Sequence, residues 1–308
     1  MAKARELRRR IKSVENTRQI TKTMEMVATS RLKRAQDRVV ATRPYAAALT
    51  ELIASLYDPA LEESFPLLRQ LKGEPTRVAL VLITSNRGLC GGFNANLIKE
   101  ARRRIENWEA RGVEVELHCV GRKGAGHFKY LGRLLAQECQ DIGDRPTVAH
   151  ATDLVEPLMA RFEAGELDIV EVIFAKFNNP LSTPPTILPL LPIRPPAEGR
   201  KGGRMEGEGG GRSDVPTFRP TAANYILRPS AEEIVRRMLP GYVRNGMYRA
   251  LVETAASEHG ARRTAMKNAT ENAGEMIDVL RRNFNRARQA QITQEIAEIV
   301  GGAEALKG

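Results

Sequence analysis

The sequence predicts an α/β protein: a long antiparallel coiled coil made from its two ends, with a small central α/β domain between them. Three observations predict it. Residues 2–43 contain neither proline nor glycine and carry a narrow apolar stripe at helical spacing. Residues 242–300 contain no proline and hold a second stripe at heptad spacing. Between these ends, apolar strand-like runs alternate with helical stretches, as in a layered α/β unit.

The N-terminal unit covers residues 1–57. Leu7, Ile11, Val14, Thr21, Met24, Ala28 and Arg31 recur three or four residues apart, with Ile20 and Val27 beside the seam. Pro44 is expected to interrupt or kink this helix, and a second stretch then runs through Leu49, Leu52, Ile53 and Leu56 to a stop at Asp58-Pro59. The C-terminal unit covers residues 229–305. Ser230 and Glu233 have capping-box spacing, and Ile234, Val235 and Met238 follow. Pro240-Gly241 is expected to break or bend the helix. Beyond it, Ala273, Ile277, Leu280, Phe284, Ala287, Gln291 and Gln294 alternate four and three apart, Ile292, Ile296 and Ile299 form a second short stripe, and Gly301-Gly302 ends the helix. Neither narrow stripe can be buried by its own helix. Winding the two helices together antiparallel closes one core between chain ends far apart in sequence.

The central unit, residues 76–227, reads as a Rossmann-like α/β domain. Arg77–Ile83 is a continuous apolar run of the kind buried in parallel sheets. Helix is expected over 95–111 and 153–164, and strands over Val113–Val120 and Asp168–Phe174, with a last strand at Thr221–Leu227. Residues 195–216 are rich in glycine, proline and charge and read as a flexible surface insertion.

Composition narrows the function classes. The 308 residues are 28% charged and only 5% aromatic, which suits long solvent-washed helices. The net charge is +11, and residues 1–43 hold 13 basic against 4 acidic side chains, a local excess of +9. Such a segment calls for an acidic partner: nucleic acid, anionic lipid or acidic protein surface. No apolar run approaches the roughly 18 residues of a membrane span, so any membrane link is expected to pass through a partner. Three cysteines without a CxxC pair argue against a disulfide framework or zinc knuckle and fit a reducing compartment.

Three features of the sequence bear on chemistry. Ser85–Asn94 (SNRGLCGGFN) joins a strand to a helix and is glycine-rich, as phosphate loops are, but it has neither GxGxxG spacing nor a following Lys-Ser/Thr. It therefore reads as a tight turn that needs glycine freedom. The glycines ending at Gly211-Arg212-Ser213 also lack the phosphate-loop lysine. His118, His127, His150 and His259 make no metal-ligand spacing and read as ordinary imidazoles. No GxSxG nucleophile turn is present. The sequence thus offers no catalytic residue, cofactor site or metal site. A basic coiled-coil nucleic-acid binder stays open as an alternative, though only Tyr45 and Tyr57 supply aromatic stacking near the basic helix. A nucleotide-dependent α/β enzyme built on residues 77–175 is the other.

Two long stretches and one loop resemble a known family. Residues 15–36 (ENTRQITKTMEMVATSRLKRAQ) resemble the N-terminal helix of the γ subunits of F-type ATP synthases. Residues 257–303, containing SEHGARRTAMKNATENAGEMID and FNRARQAQITQEIAEIVGGA, resemble that family's C-terminal signature, and SNRGLCGGFN resembles its central motif. Pro240-Gly241 departs from a stretch that is helical in the family, and the cysteine-free insertion does not resemble the redox-regulated one of chloroplast γ subunits.

The resemblance implies a non-catalytic rotor shaft that couples proton flow to conformational cycling in an α3β3 hexamer, without nucleic acid. It implies the ε subunit and the c-ring as further partners, and a peripheral place on the cytoplasmic side of the cell membrane held through partner subunits. It also implies contact roles: Arg288 and Gln289 in ARQA catching a β-subunit loop, Arg262 as a second β-contact arginine, and Met24 as a seam position where an added charge disturbs coupling. The apolar tail at Ile292–Ala303 would turn in a hydrophobic sleeve.

Overall fold

The computed structural model describes residues 2–56, 65–71, 73–193 and 231–305. The expected strand at Thr221–Leu227, the insertion 195–216, the Asp58-Pro59 stop and Ser230 of the capping box lie outside the described residues. In chain order the regular elements are α1 (Ala2–Leu56), β1 (Arg77–Ile83), α2 (Phe93–Glu109), β2 (Glu114–Val120), α3 (Arg122–Tyr130), β3 (Gln137–Cys139), α4 (Val148–Glu163), β4 (Ile169–Ala175), β5 (Pro185–Leu191) and α5 (Ala231–Ala305).

The two terminal helices wind together antiparallel. Thr270 Oγ1 donates to Thr21 Oγ1 at 2.8 Å, and Arg281 Nη2 meets Glu15 Oε1 at 2.7 Å. Nearer the body, Leu32, Ala35 and Val39 of α1 close a buried cluster with Val252 and Ala256 of α5. The predicted seam is visible in the burial. Leu7, Ile11 and Val14 are half-buried and Ala28 is buried, while on α5 Ala273 and Ile277 are buried and Leu280, Phe284, Ala287 and Gln291 half-buried. Gln294 falls outside the seam and is exposed. Ile20 and Val27 are exposed beside it, as their offset from the stripe requires.

Neither proline ends its helix. Helix runs unbroken through Pro44 in α1 and through Pro240 in α5. A proline inside a helix costs about 3 kcal/mol. Here the flanking turns bury Val39, Ala46, Leu49 and Ile53 on one helix, and Val235, Leu239 and Val243 on the other. Each large apolar side chain buried contributes about 1.5–3 kcal/mol, so packing outweighs the lost backbone bond.

The central sheet has strand order β3-β2-β1-β4-β5, with β3, β2, β1 and β4 parallel and β5 antiparallel to β4. Alternation along β1 divides the two faces. Leu80 and Leu82 join Phe93, Leu97, Ala101 and Ile105 of α2 and Phe128 of α3. Ala79, Val81 and Ile83 join Leu154, Leu158 and Phe162 of α4, together with Leu239, Val243 and Met247 of α5 and Leu49 and Ile53 of α1. The lower parts of both terminal helices are therefore core elements of the body. Glu171 of β4 is buried within it and accepts from Arg104 Nε at 2.7 Å and Nη2 at 2.5 Å, and from Trp108 Nε1 at 3.2 Å. Burying a carboxylate is tolerable when its lone pairs are filled in this way.

Candidate functional site

Sheets of this topology bind ligands outside the carboxyl ends of their strands, at the point where strand order reverses. Here β1 is followed by β2 on one side and flanked by β4 on the other, so the reversal lies between β1 and β4. That place is filled by the chain's own α5. Ala175 N, at the end of β4, donates to Thr254 Oγ1 at 3.4 Å, and Ser257 Oγ donates to Ala175 O at 3.0 Å. Phe177 N donates to Glu253 Oε2 at 3.2 Å, and the same carboxylate takes Arg249 Nε at 2.7 Å. Glu253, Thr254 and Ser257 are all buried, and the sequence reading missed them. Their one signal is three polar residues within an alanine-rich run that is otherwise apolar.

The phosphate-like turns are also closed from within. At the start of α3, Arg122 N donates to Asn86 Oδ1 at 2.9 Å, Lys123 N to Ser85 O at 3.1 Å and Gly124 N to Thr84 Oγ1 at 2.9 Å. The first-turn N–H groups that would hold a phosphate thus already have partners. Gly121 sits at φ +96°, and a Cβ there would lie 2.2 Å from Thr84 O. Close strand-to-helix contact therefore explains this glycine without a ligand. In the glycine-rich loop, Ser85 N and Oγ both donate to Asn94 Oδ1 at 3.1 Å, and Asn94 Nδ2 donates to Cys90 Sγ at 3.2 Å. Burial pushes the Cys90 thiol above its ordinary range, opposed by Arg262 and Ser85, which keeps it a poor nucleophile at neutral pH. A cavity of about 410 Å³ remains over the ends of β1 and β2, with Asn86, Arg122, Asp144 and Glu258 in its wall.

Arg262 fastens the place where the stalk leaves the body. Its Nε and Nη2 donate to Gly88 O at 3.4 and 3.3 Å, Nη2 also to Glu258 Oε1 at 2.5 Å, and Nη1 lies 3.3 Å from His259 Nδ1. Arginine has no acceptor, so His259 Nδ1 accepts and its proton sits on Nε2, which lies 3.8 Å from Asp144 Oδ1. Burial, against the opposing pull of Asp144, draws the His259 pKa down to about 4, with Arg262, Arg31 and Arg34 acting in the same sense as burial. Burial raises the Glu258 carboxyl, with Arg262 opposing. Asp144 in turn pairs with Arg31 of α1. One continuous polar cluster thus joins α1, α5, the glycine-rich loop and the segment after β3.

The four residues singled out by sequence fall into two groups. Met24 and Arg262 share a cavity of about 320 Å³ with Val27, Gly88 and Leu89. Arg262 is only 9% exposed and already holds partners within the chain. Arg288 and Gln289 are exposed, 26 residues further along α5 and so about 39 Å away at 1.5 Å per residue. His259, which reads from sequence as an ordinary imidazole, is a member of the polar cluster. Asp144 and Arg31 could not be paired from sequence, since 113 residues separate them.

Comparison with known proteins bears directly on this arrangement. A family model described as ATP synthase matches residues 3–306. The ATP synthase gamma chain of Gemmatimonas aurantiaca is 56% identical over 308 residues, covering 100% of both chains. The chain belongs to the ATP synthase gamma chain family. The gamma chain of Moorella thermoacetica is 42% identical over 309 residues, again covering 100% of each. Among solved structures, the rotor of the Euglena gracilis mitochondrial ATP synthase superposes with a TM-score of 0.62 at 17% identity, covering 94% of this chain and 99% of that one. A second structure of that enzyme, with its F1 part and c-ring, gives a TM-score of 0.66 at 20% identity, covering 99% of this chain and 95% of the other. These structures share the fold described here: a sheet body from which two wound terminal helices rise.

Proposed function

We propose that this chain is the central rotor shaft of an F-type ATP synthase, a subunit without catalysis of its own. The observation that carries this reading is α5. It is a single helix of 75 residues, about 110 Å long, rooted in the core of the body and wound with α1 above it. A two-helix shaft has no three-fold symmetry. Placed inside an α3β3 hexamer, it touches each of three identical β subunits differently and biases each toward a different conformation. Moving a two-state equilibrium from 1:99 to 99:1 takes about 5.5 kcal/mol of differential contact energy. A few hydrogen bonds to charged groups, each about 1.5–3 kcal/mol, supply much of that.

Arg288 and Gln289, exposed on the upper shaft, would make such contacts, and the basic face of α1 suits acidic surfaces on the hexamer. Met24 acts at the cavity wall, where an added charge would disturb the loop packed against it. The body bears on the c-ring and the ε subunit. No helix among the described residues is long and apolar enough to cross a membrane; on the rotor reading the chain is held at the cytoplasmic side of the cell membrane through those partners. The alternative of a nucleotide-dependent enzyme is disfavoured by α5 seated over the strand ends, and that of a nucleic-acid binder by the family match.

The test is assembly and coupling. The chain should co-purify with an α/β hexamer, and deleting residues 257–308 should abolish proton-coupled ATP synthesis. Undisturbed coupled synthesis by the truncated complex would sink the rotor reading.

A further inference from the structure

We propose that the neck of the stalk carries a binding site for a phosphate-type oxyanion, formed by Arg31, Arg34 and Arg38 of α1 with Arg145 of the segment after β3. These four arginines line a cavity of about 180 Å³, with Asp144 and His259 completing its wall. Four positive charges against one carboxylate leave an excess of +3 (4 − 1) in that small space. Asp144 is turned toward Arg31 and His259, and its backbone oxygen takes Arg38 Nη1 at 3.4 Å. Among the described residues, Arg34 hydrogen-bonds only within its own helix, to Ser30 O and Oγ at 3.5 and 3.3 Å.

Positions 31, 34 and 38 lie three and four apart, so the three guanidinium groups share one face of α1, and Arg145 approaches from the body. Asp144 pairs with Arg31 and relieves the mutual repulsion of these groups only in part; a dianion would relieve the rest. Guanidinium forks match a phosphate's oxygens two at a time. The volume falls below the roughly 300–1,000 Å³ of small-molecule pockets, which favours one oxyanion group over a whole nucleotide. Such an ion would brace α1 against the segment after β3. The inference does not depend on the rotor reading.

His259 is a built-in reporter. The charged groups facing it are Asp144 from the segment after β3, Arg31 and Arg34 from α1, and Glu258 and Arg262 from its own helix. A dianion beside the α1 arginines offsets the field that disfavours the imidazolium. The His259 pKa should therefore rise on binding.

The experiment titrates the full-length chain with inorganic phosphate at constant ionic strength, by calorimetry and by imidazole NMR across pH. The double variant Arg34→Gln/Arg145→Gln is run in parallel; neither residue belongs to the stalk seam or touches Gly88. Expected are saturable binding at one site, affinity at least about tenfold weaker in the variant, and an upward His259 pKa shift on phosphate in the parent only. ATP and AMP distinguish the sources. Competition by ATP well below the phosphate concentration assigns a nucleotide's terminal phosphate, and competition no better than phosphate assigns the free ion; both support the site. A response that follows ionic strength alone, or one unchanged in a variant with the parent's melting curve, overturns the proposal.

Discussion

Replacing Arg262 by alanine tests whether the neck is held by an internal latch. The guanidinium and the Glu258 carboxylate are 11% and 12% exposed, so water screens the pair little. Alanine at 262 leaves a buried carboxylate and the Gly88 carbonyl without their donor. Breaking a buried, hydrogen-bonded pair from one side costs about 3–5 kcal/mol, a large share of the roughly 5–15 kcal/mol that holds a typical domain folded. The assay is urea denaturation of the purified chain followed by helical circular dichroism. Glu258→Gln should restore part of the loss when combined with Arg262→Ala, because a neutral amide is cheaper to leave buried than a carboxylate. The coupling energy should exceed about 1 kcal/mol. Burial already raises the Glu258 pKa, and removing Arg262 raises it further. A folded-state carboxyl with a raised pKa loses stability as pH rises, so the deficit of Arg262→Ala should be smaller at about pH 5 than at about pH 8. A single variant within about 0.5 kcal/mol of the parent, or strictly additive variants, would refute the latch.

Three further outcomes follow from the same structure. His259 has a depressed folded pKa of about 4, so the unfolded chain binds the extra proton between there and about 6.5. Its contribution is complete above that window and is lost as pH falls through it, at most about 3 kcal/mol, and His259→Gln should flatten that part of a stability-versus-pH curve. Gly121→Ala should cost about 3 kcal/mol or more, because its Cβ would meet the Thr84 carbonyl at 2.2 Å in a left-handed backbone; an unchanged melting temperature would count against the strain argument. Truncation before Ile292 should leave thermal stability nearly unchanged, since Ile292, Ile296, Ile299 and Val300 are 47–71% exposed, whereas truncation before Ala273 should remove seam residues and lower the melting point clearly.

Much of the architecture was legible because periodicity is local. The stripe through Leu7, Ile11 and Val14 and the seam through Ala273, Ile277 and Leu280 fix which faces meet. The continuous apolar run at 77–83 marks a strand covered on both sides. Each missed element has its own cause. β5 (PTILPLL) carries two prolines that argue against a strand, yet it lies at the sheet edge where proline is tolerated. α3 (RKGAGHFKY) has two glycines that lower helix propensity, but a Cβ at Gly124 would lie 2.9 Å from Thr84 Oγ1, so packing requires the glycine. β3 has only three residues, too few to show a period. The polar cluster was illegible for a different reason. Asp144, Arg31, Gly88 and Arg262 come from four segments, and only the closed fold makes them neighbours.

The same geometry bears on how twist would pass between body and stalk. A joint between the two would need a chain break or a polar, loosely packed segment at the neck. Along α5 neither is found among the described residues: it continues as helix from the body core into the wound stalk, and Ser257, His259 and Arg262 at the crossing are all buried. The bonds from Ser257 to Ala175 and from Arg262 to Gly88 tie the helix to the sheet and to the glycine-rich loop at successive turns. Rotation of the helix about its axis relative to the body would break these together and drag Val243, Met247 and Ala250 out of the core. Compliance should instead rise along the stalk, where the seam changes from buried Leu32, Ala35 and Val39 to half-buried Leu7, Ile11 and Val14. Torque applied at the body would therefore reach the exposed Arg288 face through a shaft that is stiff at its root and yields toward its tip.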